Sequence, residues 1–232
     1  ILVGLAPNNP KLDEFDCALR FGVAAIKTNR IQEATKGFLM ARKLKPSHFE
    51  VNYNLGYICY LQKEYEKAIP ILKQALLTDT ENALANRYMG FSLHKAHKYH
   101  EALAYLKKAL DLQPDDKEVL FSMAECLFES GAVDRALKVF MHLRPDPQLG
   151  PQSALYSGII HVQTNQADKA VIDFDIGLKH ENIPADIANE LRYKLAVTLI
   201  KTQDIARAIT VLKEIQRLTP GYKDVPALIV RY

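Results

Sequence analysis

No run of apolar residues in this 232-residue chain approaches the roughly 18–20 needed to cross a bilayer, so the sequence offers no candidate membrane helix. Cysteine is scarce: Cys17, Cys59 and Cys126 form no Cys-x-x-Cys and are odd in number. A disulfide framework is thereby disfavoured, and a reducing, cytoplasmic compartment is the expectation, with a periplasmic home without disulfides left open. Charge of one sign is lacking too. Thirty Lys and Arg stand against 27 Asp and Glu, mixed along the chain, and no basic patch of the kind that grips nucleic acid emerges. Gly-x-Ser-x-Gly, a phosphate-binding loop and His-Glu-x-x-His are all missing. With no catalytic constellation, the chain reads as no enzyme, and no cofactor or metal is expected.

What the chain has is a period. Ala34, Ala68, Ala102, Ala136, Ala170 and Ala208 recur at spacings of 34, 34, 34, 34 and 38 residues. Twelve positions ahead runs a second ladder of small residues, Gly22, Gly56, Gly90, Ala124, Gly158 and Ala196, at the same spacings. Two registers locked to one period describe an array of a single repeated unit, and such arrays commonly bind rather than transform.

Each unit reads as two helices. In residues 49–82, Phe49 to about Gln62 carries Leu55, Ile58 and Cys59 at helical spacing; Lys63 and Glu64 break it, and Tyr65 starts a second stretch with Ala68, Ile69, Leu72, Ala75 and Leu76 on one face. The small residues, at positions 8 and 20 of the unit, mark close approaches between helices. Glycine inside a helix costs roughly 1 kcal/mol relative to alanine, so four glycines at one register imply packing that offsets the cost. Position 24 is large and apolar throughout (Phe38, Leu72, Leu106, Phe140, Phe174, Leu212), and position 32 is a helix-stopping proline in Pro46, Pro114 and Pro220.

This pattern resembles the tetratricopeptide repeat (TPR), whose 34-residue unit has Leu-Gly at positions 7–8, Ala at 20, an aromatic residue or Leu at 24, Ala at 27 and Pro at 32. Leu55-Gly56, Ala68, Leu72 and Ala75 match, as do Met89-Gly90, Ala102, Leu106, Ala109 and Pro114; the resemblance covers residues 15–222. The bulky residue often seen at position 4 is absent (Ala18, Asn52, Asn86, Leu120, Ala154, Arg192). The resemblance implies an all-α fold, a right-handed superhelical solenoid of six helix-turn-helix units: 15–48, 49–82, 83–116, 117–150, 151–184 and 189–222.

Two irregularities interrupt the array. Arg144 to Pro151 holds three prolines, expected to end the fourth unit's second helix early and to replace about one helical turn by an extended connector. Four extra residues separate units five and six, near His180–Pro184. Pro70 is expected near enough to its helix start to cost little. Residues 1–14 read as the end of a preceding helix, residues 223–232 as the start of a further one, and the chain as a segment of something larger.

The resemblance also implies that positions 2, 5, 9, 12 and 13 face a concave groove. There the sequence places Tyr53, Tyr57, Tyr60, Arg87, Phe91, His94, Phe121, Glu125 and Phe128, centred on units two to four. Tyr53, Tyr57 and Tyr60 share one helix face. Rings of this kind suit an apolar or amphipathic segment of another protein; packing of the rings against the next unit, or occupancy by the protein's own tail, is the alternative. The pair Tyr57 and Phe91 is the natural one to replace, with weakened capture and little change in melting expected. Carboxylate-clamp recognition, as in the adaptors of heat-shock chaperones, is disfavoured, because of Leu19, Val23, Asn54, Leu84 and Tyr88 only Asn54 fits that pattern. His94, His97 and His100 are read as solvated turn residues rather than a zinc site, and Glu125 with Glu129 as contacts for a cationic partner. The leading expectation is a protein-binding adaptor. A structural scaffold of a large, bacterial envelope or motility-associated assembly, self-associating through its terminal repeats, and a regulatory domain of a larger enzyme are the rivals.

Overall fold

The computed structural model describes residues 13–232, and the expectation for the first twelve residues lies outside them. Among the described residues there are thirteen α-helices and no strand. The chain divides into two compact units, the first ending at Cys126 and the second running over Leu127–Tyr232.

In the first unit, α1 (Glu14–Lys27) and α2 (Ile31–Leu44), α3 (Phe49–Leu61) and α4 (Tyr65–Leu76), and α5 (Ala83–Lys95) and α6 (Tyr99–Leu112) form successive antiparallel hairpins, followed by α7 (Lys117–Glu129), which runs on past the division. The second unit continues with α8 (Val133–Leu143), the hairpins α9 (Gly150–Gln163) with α10 (Ala167–Leu178) and α11 (Ala185–Lys201) with α12 (Ile205–Leu218), and the short α13 (Val225–Arg231).

The small-residue ladder explains how each hairpin closes. A methyl group built on Gly56 would lie 2.5 Å from Leu72 Cγ, and one on Gly90 2.6 Å from Leu106 Cδ2. Gly22 faces Phe38 and Gly158 faces Phe174 in the same way. In these four hairpins position 8 is therefore empty so that the large residue at position 24 can lie across the partner helix, and Phe38, Leu72, Leu106 and Phe174 are fully buried there. Burying each such side chain contributes about 1.5–3 kcal/mol, which offsets the helical glycine.

The turn between the two helices of a hairpin is equally regular. Asn29, Lys63, His97, Gly131, Asn165 and Gln203 all have positive φ, between 56° and 83°. The next residue's N–H reaches back to a carbonyl five positions earlier, as in Arg30 to Ala25, Lys98 to Leu93 and Asp204 to Leu199. This is the left-handed helix C-terminus, which glycine and asparagine adopt most readily.

Three details differ from expectation. The proline-rich stretch after α8 is a series of turns, not an extended connector: Gly150 N–H bonds the Asp146 carbonyl, and Asp146 Oδ1 accepts from Gln148 and Leu149 N–H, each at 2.9 Å. The four extra residues before the sixth unit are absorbed as a first turn of α11, which reaches 17 residues. Four residues make close to one helical turn, so the rest of that helix keeps its facing. Pro70 is the sixth residue of α4, past the four free donors of a helix start, so one main-chain bond is forgone at an exposed site.

Candidate protein-binding site

Seven rings gather on α3, α4 and α5. Phe49, Tyr53 and Tyr57 stand one turn apart on α3 and run nearly parallel, with centroids 5.9 and 6.4 Å apart and planes within 7°. Tyr88 of α5 leans into them, 4.6 Å from Tyr57, 5.3 Å from Tyr60 and 6.3 Å from Tyr53. Tyr60 also meets Tyr65 at 5.7 Å and Phe91 at 6.1 Å. Tyr53, Tyr57, Tyr60 and Tyr88 are half-buried, while Leu55 and Ile58 on the other side of α3 enter the core.

The electrostatics keep this surface neutral. Burial pushes the Tyr53 phenol up to about 12, the neighbouring Tyr57 adding to the shift and Arg87 opposing it. The Tyr88 and Tyr60 phenols are raised as well, again chiefly by burial. At ordinary pH the rings therefore carry neutral phenols.

Arg87, expected to face a ligand, is held instead by the next hairpin: Nη1 lies 2.6 Å from Asp116 Oδ2, and Nη2 pairs with Glu118. Its guanidinium sits 5.1 Å from the Phe91 ring centroid. Phe91, His94 and Phe121 are buried, with 6, 8 and 6% of their surface exposed, and Phe91 packs against Tyr60 and Tyr88 with ring centroids 6.1 and 6.2 Å apart. His94 is no solvated turn residue: it lies within α5, its Nε2 3.7 Å from Glu125 Oε2, and burial pulls its imidazole down to about 4. His97 and His100 are exposed, and His97 Nδ1 hydrogen-bonds the Tyr99 hydroxyl at 2.7 Å. Among the described residues no cluster of three His, Cys, Asp or Glu is placed to hold a metal. Glu125 is half-buried against His94, which does not leave it the open contact it was expected to be.

Phe128 belongs to the second unit, where its ring meets Tyr156 edge-on at 5.7 Å. Tyr156 stacks on Phe140 at 4.7 Å. Tyr88 and Tyr156 were missed as ring-cluster members, although both occupy position 6 of their units, one residue beyond the register read as groove-lining.

Asn52 and Asn86 carry another unforeseen role. They stand where the repeat pattern has a bulky residue, and both are buried. Asn52 Nδ2 donates to the carbonyls of Pro46 at 2.8 Å and His48 at 3.1 Å; Asn86 Nδ2 donates to Thr80 at 3.0 Å and Asn82 at 2.8 Å. Each ties the turn that enters its hairpin to the helix that follows, which sets the angle at which α3 and α5 present their rings.

In the second unit a buried carboxylate does similar work. Asp173, 2% exposed, receives His161 Nδ1 at 2.6 Å on one oxygen and the Arg144 guanidinium on the other. The three groups fasten the turn after α8 to α9 and α10.

Successive helical hairpins with a small-into-large closure define a helical repeat protein. Models of the tetratricopeptide repeat match residues 19–83 and 93–159, together more than half of the chain. The chain belongs to the tetratricopeptide repeat family, whose members generally mediate protein–protein interactions and are generally non-enzymatic. It is similar to DnaJ homolog subfamily C member 3 of Gallus gallus, 23% identical over 89% of this chain and 46% of the relative. TPR repeat-containing protein YpiA of Bacillus subtilis is 20% identical over 91% of this chain and 49% of the relative. The chain thus spans about half the length of these curated relatives. Among solved structures, YrrB, a TPR protein with an unusual peptide-binding site, superposes with a TM-score of 0.69 at 22% identity, covering 81% of this chain and 95% of YrrB. No helix among the described residues is long and apolar enough to cross a membrane.

Proposed function

We propose that this chain is a non-enzymatic adaptor that captures an apolar or amphipathic segment of a partner protein against the ring cluster of α3 and α5. The observation that carries this reading is the parallel ladder of Phe49, Tyr53 and Tyr57 backed by Tyr88. Tyrosine supplies large contact area at low entropic cost and a hydroxyl for orientation, and such residues dominate binding energy at interfaces. Because Arg87 is neutralised by Asp116 and Glu118, the ladder has no free cation beside it from that residue, which favours an uncharged apolar segment over an acidic one. The peptide-binding site of YrrB, on the same fold, supports a peptide or helical ligand.

The pair to replace is now Tyr53 with Tyr57, since Phe91 is buried and its loss would reduce stability as much as capture. The test is selection from a displayed library of random 16-residue peptides (about this length spans one repeat). The wild-type chain should enrich sequences with recurring apolar or aromatic residues, and the Tyr53→Ser, Tyr57→Ser chain should not. Equal enrichment by both would refute the placement. Cys17, Cys59 and Cys126 form no disulfide among the described residues, which supports a reducing, cytoplasmic setting for this adaptor.

A further inference from the structure

The outer face of α2 carries a second surface, separate from the rings. From Ala34 to Phe49 the sequence holds four cations, Lys36, Arg42, Lys43 and Lys45, and no carboxylate. Lys36, Lys43 and Lys45 are exposed and Arg42 is half-buried. Lys36 and Lys43 are seven residues apart, hence two turns along one line of the helix, with Met40 and Leu44 on one flank and Leu39 on the other. Those three apolar side chains are 36, 45 and 39% exposed.

Several cations at or beside the second helices are met by carboxylates: Lys67 by Glu64 at 2.9 Å, Lys98, just before α6, by Glu66 at 2.8 Å, and Arg207 by Asp175 at 2.6 Å. Among the described residues, Lys36, Arg42 and Lys43 take part in no ion pair. Lys45 lies over the Phe15 ring, 3.9 Å from its centroid. An unneutralised basic line with apolar flanks attracts an anionic surface and has short side chains to set into it.

We propose that this face of α2 docks peripherally on the surface of an anionic phospholipid bilayer. Three features favour lipid over an acidic protein. Three of the four cations are lysines, whose mobile point charges suit headgroup phosphates in any orientation, whereas fixed bidentate recognition is the work of arginine. The apolar residues flank the basic line as exposed side chains, the arrangement by which an interfacial helix sets a shallow apolar edge into the headgroup boundary. Lysine stems can lie along Leu39, Met40 and Leu44 while their ammonium groups stay in the headgroup layer.

The test is co-sedimentation of the full chain with vesicles of phosphatidylcholine alone or with about one-third phosphatidylserine, at low salt and at about 0.5 M salt, which shortens screening to a few ångströms. A cation near such a leaflet is worth roughly fivefold in partitioning. We expect binding to phosphatidylserine vesicles only, its loss at high salt, and a decrease of at least about twentyfold for Lys36→Gln with Lys43→Gln. Leu39→Ser with Met40→Ser should weaken it several-fold, while Tyr53→Ser with Tyr57→Ser leaves it unchanged. Circular-dichroism melts show whether each variant is folded. Absence of binding, equal binding to both vesicle types, or no effect of the lysine pair overturns the proposal. So does a chain that ignores vesicles yet binds a fluorescent glutamate-leucine peptide through Lys36 and Lys43, which would make the partner an acidic protein.

Discussion

Arg87 Nη1 lies 2.6 Å from Asp116 Oδ2, with the two side chains only 22 and 11% exposed. A residue at a ligand-facing register is thus a staple between α5 and the start of α7, and Asp116 Oδ1 also caps α7 by accepting from Val119 N–H at 3.1 Å. Arg87→Ala should lower the unfolding free energy by about 2 kcal/mol, as expected for stranding one partner of a partly buried pair. Urea denaturation measures it. Arg87→Lys should recover only part of the loss, because an ammonium cannot reach Asp116 and Glu118 in one planar fork.

Gly56→Ala should be destabilising although alanine is the better helix former. The new methyl would sit 2.5 Å from Leu72 Cγ, and overpacking of this kind costs about 1–3 kcal/mol against roughly 1 kcal/mol gained in propensity. A paired Gly56→Ala, Leu72→Val chain should regain stability relative to Gly56→Ala alone; a rise in the urea midpoint for Gly56→Ala itself would refute the close approach.

Asn52→Ala and Asn86→Ala should each cost about 1–2 kcal/mol, since each removes a buried donor from two carbonyls of the entering turn. Amide exchange should accelerate first in residues 46–50 for the former and 80–84 for the latter, before the global midpoint moves.

Two pH dependences follow from burial. His94 has its folded pKa depressed to about 4, from an ordinary 6.5, so the folded state holds it neutral. Its contribution is complete above pH 6.5 and is lost as pH falls through 4, by up to about 3 kcal/mol. His94→Gln should flatten the stability profile between pH 6.5 and 4, and the His94 ring proton should titrate near 4 by NMR. The tyrosines act at the other end. With Tyr53 raised to about 12, stability is full below pH 10 and declines as pH rises through 12. Phenolate absorbance should show a late-titrating group that Tyr53→Phe removes.

The architecture was legible because every repeat had to solve the same packing problem: Gly22, Gly56, Gly90 and Gly158 exist for Phe38, Leu72, Leu106 and Phe174, and a period shared by two ladders betrays that pairing. The interhelix turn was less legible. Lys63, His97 and Gln203 hold the left-handed conformation that Asn29, Asn165 and Gly131 adopt at lower cost, so composition at that position carries a mixed signal. The ring cluster was half legible. Tyr53, Tyr57 and Tyr60 announce themselves by spacing within one helix, whereas Tyr88 joins them only through the angle between α3 and α5, which local periodicity does not encode. Phe91 and His94 fell on a groove register and are buried, because the closeness of the neighbouring helix decides exposure there. The Asp173, His161 and Arg144 group was invisible for a similar reason: its members lie on three different elements, brought together by the turns after α8.

The central claim is that Tyr53 and Tyr57 bind a partner segment. The direct measurement is the calorimetric Kd of a library-selected peptide for the wild-type chain and for Tyr53→Ala with Tyr57→Ala, with urea midpoints taken on the same samples. Two such aromatic anchors are each worth about 2 kcal/mol, so affinity should drop by about a thousandfold while unfolding free energy falls by less than about 2 kcal/mol. An unchanged Kd in the folded double variant would contradict the account.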